Sequence, residues 1–337
     1  MKSFLKFIVI FFLLAPFLTN AVREIDSSGS FTAKISPANP APGDRVVINL
    51  ESYSFNLDGS SINWYLDNKV QKDYNNKKQF VFFAGKAGTS NEIKIIVISQ
   101  KKQFSKTLIF EPAEVDLIWQ AGTIVPAFYK GKALPSTESL IKILAIPHLI
   151  DSTGGKVSSE NLSFRWYVNG NYVSNSSGVG KNTFITSAEK NLVEKTVGVL
   201  VSDPTSKLVA ENKIVIKPNL PKILFYEIKP LEGINYSQNL KNSFGLTESE
   251  TTIKAEPYFF ALGRITPSSY SWFLNGQKIS TNEEDPSEIT FRRKEETEGV
   301  SKIKLTVGNS KNSYQTASSF LTILFNNRTI NFNDVQN

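Results

Sequence analysis

The stretch Leu162-Ser163-Phe164-Arg165-Trp166-Tyr167-Val168-Asn169-Gly170 has two close copies, Ser61-Ile62-Asn63-Trp64-Tyr65-Leu66-Asp67-Asn68 and Tyr270-Ser271-Trp272-Phe273-Leu274-Asn275-Gly276. The tryptophans stand roughly 100 residues apart, the length of one β-sandwich domain and far longer than a solenoid repeat. Each copy alternates: Phe164, Trp166 and Val168 fall on one face of a strand, and Arg165, Tyr167 and Asn169 on the other. Asn169-Gly170 and Asn275-Gly276 then predict type I′ turns, whose two central residues both need positive φ. Asp67-Asn68 is a weaker version without glycine. Short return strands follow at Lys69-Val70, Tyr172-Val173 and Gln277-Lys278-Ile279. With no long amphipathic helix in the pattern, the chain reads as all-β.

This Trp-aromatic-aliphatic-Asx strand and its tight turn resemble strand C of immunoglobulin-like modules, in particular bacterial Ig-like and PKD-like ones. Pro40-Ala41-Pro42-Gly43-Asp44, before the alternating run Arg45 to Leu50, resembles their A–B region. The resemblance implies three tandem antiparallel β-sandwiches with Trp64, Trp166 and Trp272 in their cores. Two features depart from it. The chain has no cysteine for an inter-sheet disulfide, and the Gly-Asp-Gly turn of many PKD modules is missing. A second self-similarity, Leu140-Ile141-Lys142-Ile143-Leu144-Ala145-Ile146-Pro147 against Thr252-Ile253-Lys254-Ala255-Glu256-Pro257, sits at the same place relative to each tryptophan. The expected domains are 27–113, 114–218 and 219–327, with a polar tail at 328–337. The joins fall near Phe110 to Glu114 and at Lys217-Pro218-Asn219-Leu220-Pro221, where two prolines stiffen the chain. Asn235 to Thr247 reads as a polar loop.

Lys2 and Lys6, the apolar run Phe7 to Leu18, and Thr19-Asn20-Ala21 predict a secretory signal peptide over 1–21. No later run is long and apolar enough to span a bilayer, so the mature chain is expected outside the cytoplasm, as a secreted, cell-surface or periplasmic protein. A net charge of +7 suits mild attraction to anionic polymers, and secretion argues against nucleic acid as partner.

Chemistry is sparse. His148, the only histidine, has Asp151 as its nearest acid in sequence, and no nucleophile elbow accompanies it. Glu283-Glu284-Asp285 and Glu295-Glu296-Thr297-Glu298 lack the spacing of a calcium loop. No catalytic, cofactor or metal site is expected. The expected role is a non-enzymatic structural or adhesive rod whose partners are envelope or cell-surface proteins. The alternative is a carbohydrate-binding protein or an accessory part of an extracellular hydrolase. Tyr65, Tyr167 and Tyr172, on the solvent side of the repeated strands, and Trp119, just past the first join, are the candidate ligand contacts.

Overall fold

The computed structural model describes residues 22–26, 31–127, 129–151, 153–205, 208–246, 248–263, 269–281, 284–292, 299–309 and 312–325. The predicted signal peptide, the polar tail and the Glu295–Glu298 cluster lie outside these residues.

Domain 1 holds β1 (Val22–Asp26), β2 (Thr32–Ser36), β3 (Arg45–Glu51), β4 (Ser61–Leu66), β5 (Lys69–Val70), β6 (Gln79–Phe83), β7 (Asn91–Ser99) and β8 (Lys102–Phe110). One sheet runs β2-β3-β6 and the other β1-β8-β7-β4-β5. Alternate residues turn inward as the pleat dictates. Val46, Ile48 and Leu50 of β3 meet Ile62 and Trp64 of β4, and Phe80 and Phe82 of β6. The domain starts earlier than the expected residue 27. Val22–Asp26 pairs antiparallel with β8, and Glu24 forms an ion pair with the buried Lys106. The five-residue strand was not legible as such because its partner lies about eighty residues downstream.

Domain 2 holds β9 (Glu114–Ala121), β10 (Leu140–His148), β11 (Ser163–Val168), β12 (Asn171–Tyr172), β13 (Gly178–Val179), β14 (Thr183–Ser187), β15 (Lys195–Ser202) and β16 (Val209–Ile216). Its sheets run β14-β10-β9 and β12-β11-β15-β16, with β13 also against β11. Domain 3 holds β17 (Lys222–Lys229), β18 (Gly233–Ile234), β19 (Ser243–Leu246), β20 (Glu250–Tyr258), β21 (Ser269–Leu274), β22 (Gln277–Ile279), β23 (Glu288–Arg292), β24 (Gly299–Asn309) and β25 (Asn312–Phe325). Its sheets run β18-β17-β20-β23 and β19-β25-β24-β21-β22. The expected loop at 235–247 therefore contains a strand, β19, which pairs parallel with β25. All three domains share one plan: strands A-B-E, which are β2-β3-β6, β9-β10-β14 and β17-β20-β23, face strands C′-C-F-G, which are β5-β4-β7-β8, β12-β11-β15-β16 and β22-β21-β24-β25. The chain is a tandem of immunoglobulin/fibronectin III-like sandwiches.

The two self-similar features explain how each sandwich closes. Trp64, Trp166 and Trp272 are 0, 0 and 1 % exposed, on β4, β11 and β21. Each indole N–H donates across the sandwich to a main-chain carbonyl just before the E strand of the opposite sheet: Lys77, Lys181 and Pro286, all at 2.9 Å. In a chain with no cysteine this is the repeated tie between the sheets. It adds roughly 1 kcal/mol of hydrogen bonding to the several kcal/mol of apolar burial. The turns that follow have positive φ at both central residues, 48° and 63° at Asp67-Asn68, 49° and 81° at Asn169-Gly170, and 50° and 87° at Asn275-Gly276. The first residue does a second job. The Oδ1 of Asp67, Asn169 and Asn275 accepts from the main-chain N–H of Glu92, Thr196 and Lys302, pinning the turn to the F strand. Asp and Asn combine tolerance of the left-handed region with an acceptor of the right reach.

The other repeated feature is the B strand, β10 and β20. Pro147 faces Val115 and Pro257 faces Ile223, both beyond the stretch that the E strand pairs, Leu140–Leu144 and Glu250–Lys254. A proline there takes no hydrogen bond from a third strand.

Candidate functional site

Two places in the molecule depart from the shared plan. One is the join of domains 2 and 3. After β9 the chain does not turn directly into β10; residues 122–127 and 129–137 run out over domain 3 instead. Thr123 bridges Ala261. Ile124 donates its N–H to Phe260 and accepts from Phe259, both at 2.7 Å, and Gly122 accepts from Leu262 at 2.9 Å. Ile124 packs into the core of domain 3, while Val125 and Leu134 cover Tyr226, Tyr258 and Phe259. Pro135 accepts from the N–H of Asn219, which ties the strap to the linker as well. At its far end Gln315 of β25 is fully buried. Its Oε1 accepts from the Ala261 N–H at 2.8 Å, and its Nε2 donates to Ser136 Oγ at 3.1 Å and to the Thr137 carbonyl. The expected division at 218/219 thus leaves in domain 2 a segment whose apolar side chains pack with domain 3.

Aromatic rings fill this join. The hydroxyls of Tyr226 and Tyr258 share a 2.6 Å hydrogen bond, and Tyr236 donates to Glu256 at 2.6 Å. Burial, then the hydrogen bond to Glu256, pushes the Tyr236 phenol well above its ordinary range, and burial with the Tyr226 contact does the same to Tyr258. These phenols stay protonated wherever the protein is folded at ordinary pH, so the cluster acts as packing with satisfied hydroxyls. Tyr129 of the strap meets Tyr258 and Phe259 edge-on at 5.6 and 6.1 Å.

The second place is the outer face of the β12-β11-β15-β16 sheet in domain 2. The same rung of this sheet occurs in all three domains. Tyr65 faces Lys94, Tyr167 faces Gly198, and Phe273 faces Lys304. In domain 3 the Lys304 ammonium lies 5.7 Å from the ring centres of both Phe273 and Phe320. In domain 2 glycine stands where the other two domains carry lysine, and a trough of about 390 Å³ opens there. Tyr172, Tyr167, Gly198 and Lys213 form one row across the four strands. Arg165, Leu200 and Glu211 form the next. Asn39 of domain 1 reaches this row and donates to Glu211 at 3.0 Å. Gly198 is not dictated by the backbone, since a β-carbon there would meet only the Asn212 carbonyl at 3.6 Å and Lys213 Cβ at 3.7 Å. A glycine inside a strand costs about 0.5–1 kcal/mol relative to alanine, and such glycines mark places where something approaches the main chain closely.

The sequence-predicted contact residues divide accordingly. Tyr167 lines the trough and Tyr172 stands beside it outside the lining, with ring centres 5.8 Å apart and planes tilted by 53°, so the two rings form no flat platform. The Arg165 guanidinium lies 5.3 Å from the Tyr172 ring centre. Tyr65 stands on domain 1, away from the trough. Trp119 lies half-buried on the inward row of β9, and Lys132 of the strap sits over its ring at 3.3 Å. Burial lowers the pKa of this lysine. Sequence reasoning missed Gly198, although aligning the three copies of the F strand against the tryptophans would have shown Lys, Gly and Lys at this position.

Catalytic chemistry finds no assembly at the single histidine. His148 Nε2 lies 3.0 Å from Oδ2 of Asp116, its diagonal neighbour on β9, rather than from Asp151. Asp151 is engaged locally, and hydrogen bonds from the Thr153 hydroxyl and the main-chain N–H groups of Gly155 and Thr153 hold its carboxyl below the usual range. Among the described residues no group of three or more His, Asp or Glu side chains could hold a metal ion. No helix of the described residues is long and apolar enough to cross a membrane.

No known family's sequence profile matches the chain, and no curated protein does. Solved structures similar to it are arrays of the same kind of module. The three N-terminal domains of the bacteriophage RB49 Highly Immunogenic Outer Capsid protein are 11% identical, covering 87% of this chain and 99% of that one, with a TM-score of 0.25. The central fibronectin III array of RIM-binding protein is 12% identical over 88% of this chain and 96% of that one, with a TM-score of 0.31. The fibronectin III-like modules of Clostridium thermocellum CbhA are 12% identical over 61% of this chain and 93% of that one, with a TM-score of 0.22. These are weak likenesses of module type, and neither a ligand nor a role follows from them.

Proposed function

We propose that this chain is a non-enzymatic, extracytoplasmic scaffold, a rod of three sandwiches that spaces or displays envelope and cell-surface partners. The observation that carries this reading is the join of domains 2 and 3. A flexible tether would need only the linker at 217–221. Here a strap, main-chain bridges and a buried glutamine fix one sandwich against the next. Joints of this kind transmit position and orientation, which is what a spacer requires. The basic, apolar and small-residue succession of 1–21 supports export of such a rod.

Distance measurement tests it. The chain has no cysteine, so Asn171→Cys with Lys278→Cys places spin labels only on domains 2 and 3. Double electron–electron resonance is expected to give a single narrow distance distribution. A distribution as broad as that of a free linker would overturn the scaffold reading. The trough on domain 2 favours a second reading, in which the rod presents a saccharide-binding surface.

A further inference from the structure

From the trough on domain 2 we infer a binding site for an acidic saccharide, one pyranose carrying a carboxylate in a longer chain. This rests on the second reading above and adds the ligand's chemical class. The row Tyr172-Tyr167-Gly198-Lys213 has an aromatic wall on one side, a bare main chain in the middle and an ammonium on the other. Neighbouring strands are about 4.8 Å apart, so Tyr167 and Lys213 stand roughly 10 Å from each other across Gly198. That width admits a sugar ring whose C–H face rests on Tyr167. Leu200, half-buried on the next row, gives the floor an apolar patch beside the glycine.

Charge selects among sugars. Arg165 and Lys213 bring two cations to the trough, while its one carboxylate, Glu211, already accepts from Asn39. Arginine and lysine on opposite sides of the ring position suit an anionic substituent, and the Arg165 fork suits a planar carboxylate. Asn39 comes from domain 1, so the site is completed only when domains 1 and 2 are both present.

The decisive variant is supplied by the protein itself. Lysine occupies the Gly198 position in domains 1 and 3, as Lys94 and Lys304, so the fold accepts Gly198→Lys while the new side chain fills the trough. The experiment titrates residues 22–337 and its variants with trimers of galacturonic, glucuronic and mannuronic acid, and with the corresponding neutral trimers, by heteronuclear NMR at physiological salt. At least one uronic acid trimer is expected to bind saturably, shifting the amides of Tyr167, Gly198 and Lys213. Its neutral counterpart is expected to bind at least tenfold more weakly. Gly198→Lys and Tyr167→Ala should each weaken binding at least tenfold, with Phe273→Ala without effect. Equal binding of neutral and acidic trimers overturns the acidic assignment and leaves the saccharide-binding reading in place. Binding that Gly198→Lys leaves intact places the ligand elsewhere and overturns this site. No binding by any trimer overturns both.

Discussion

Replacing Gln315 measures how much of the join of domains 2 and 3 rests on one side chain. Gln315 is fully buried and serves three groups: it accepts from the Ala261 N–H and donates to Ser136 Oγ and the Thr137 carbonyl. The serine hydroxyl can rotate to another partner; the two main-chain groups cannot. Each buried group left without a partner costs about 1–3 kcal/mol, so losing both costs roughly 2–6 kcal/mol. Gln315→Ala leaves a polar hole that admits a water, which returns part of the loss and places the cost at about 2–3 kcal/mol. Gln315→Leu fills the same space without a donor or acceptor and keeps water out, so it is expected to cost more, about 4 kcal/mol or above. Amide hydrogen exchange in the full-length protein reads this locally. At about 1.4 kcal/mol per tenfold, the alanine variant should exchange its Ala261 amide roughly 30- to 140-fold faster, and the leucine variant faster still. Ile95 in domain 1 serves as the internal reference. Unchanged exchange at Ala261 would refute the reasoning. So would an alanine variant worse than the leucine one, since the cost would then lie in lost volume rather than lost hydrogen bonds.

Trp166→Phe keeps the ring but removes the donor to the Lys181 carbonyl, and should destabilise domain 2 by about 1–2 kcal/mol in urea unfolding followed by the remaining tryptophan fluorescence. Gly198→Ala should do the opposite. The φ there is not left-handed and a β-carbon meets only ordinary contacts, so alanine is expected to stabilise domain 2 by about 0.5 kcal/mol in the same assay. In domain 3, burial is the largest single effect on Lys254 and Asp285 and opposes charge on both, but hydrogen bonds and charge attraction together outweigh it: Asp285 and Glu288 raise the lysine pKa, and Lys254 with Ser287 lowers the aspartate's. The lowered carboxyl stabilises the fold above its unfolded value near pH 4, and that contribution fades as pH falls through its folded value. The raised ammonium contributes below its unfolded value of about 10.4 and fades as pH rises through its folded value. Asp285→Asn should therefore flatten the acid limb of the domain 3 stability profile, and a profile identical to wild type would count against the pair.

What could be read in the chain follows from distance along it. The repeated Trp strand, the Asx-Gly turn and the return strand lie within about ten residues, and side-chain alternation with turn chemistry fixes them locally. The strap escaped because Gly122, Pro126, Gly131 and Pro135 break any period, and its partners around Phe260 and at Gln315 lie more than a hundred residues away. The same holds for β1 and β19, short strands recognisable only beside the G strands they cover. The trough escaped for a different reason. Its defining residue is an absence of side chain, and a glycine in a strand carries no pattern until three copies are superimposed.

The strap also sets an order of events at the ribosome. Ser136 and Thr137 are made 179 and 178 residues before the glutamine that receives them. At ordinary rates of synthesis that is a wait of roughly ten to forty seconds. Domain 2 can close its own sheets in that time, yet Ile124, Val125 and Leu134 must stay in water until domain 3 arrives beneath them. The last piece of the chain to settle is therefore made near its middle. Chains halted before Gln315 would display that greasy ribbon to any chaperone, protease or sister molecule nearby.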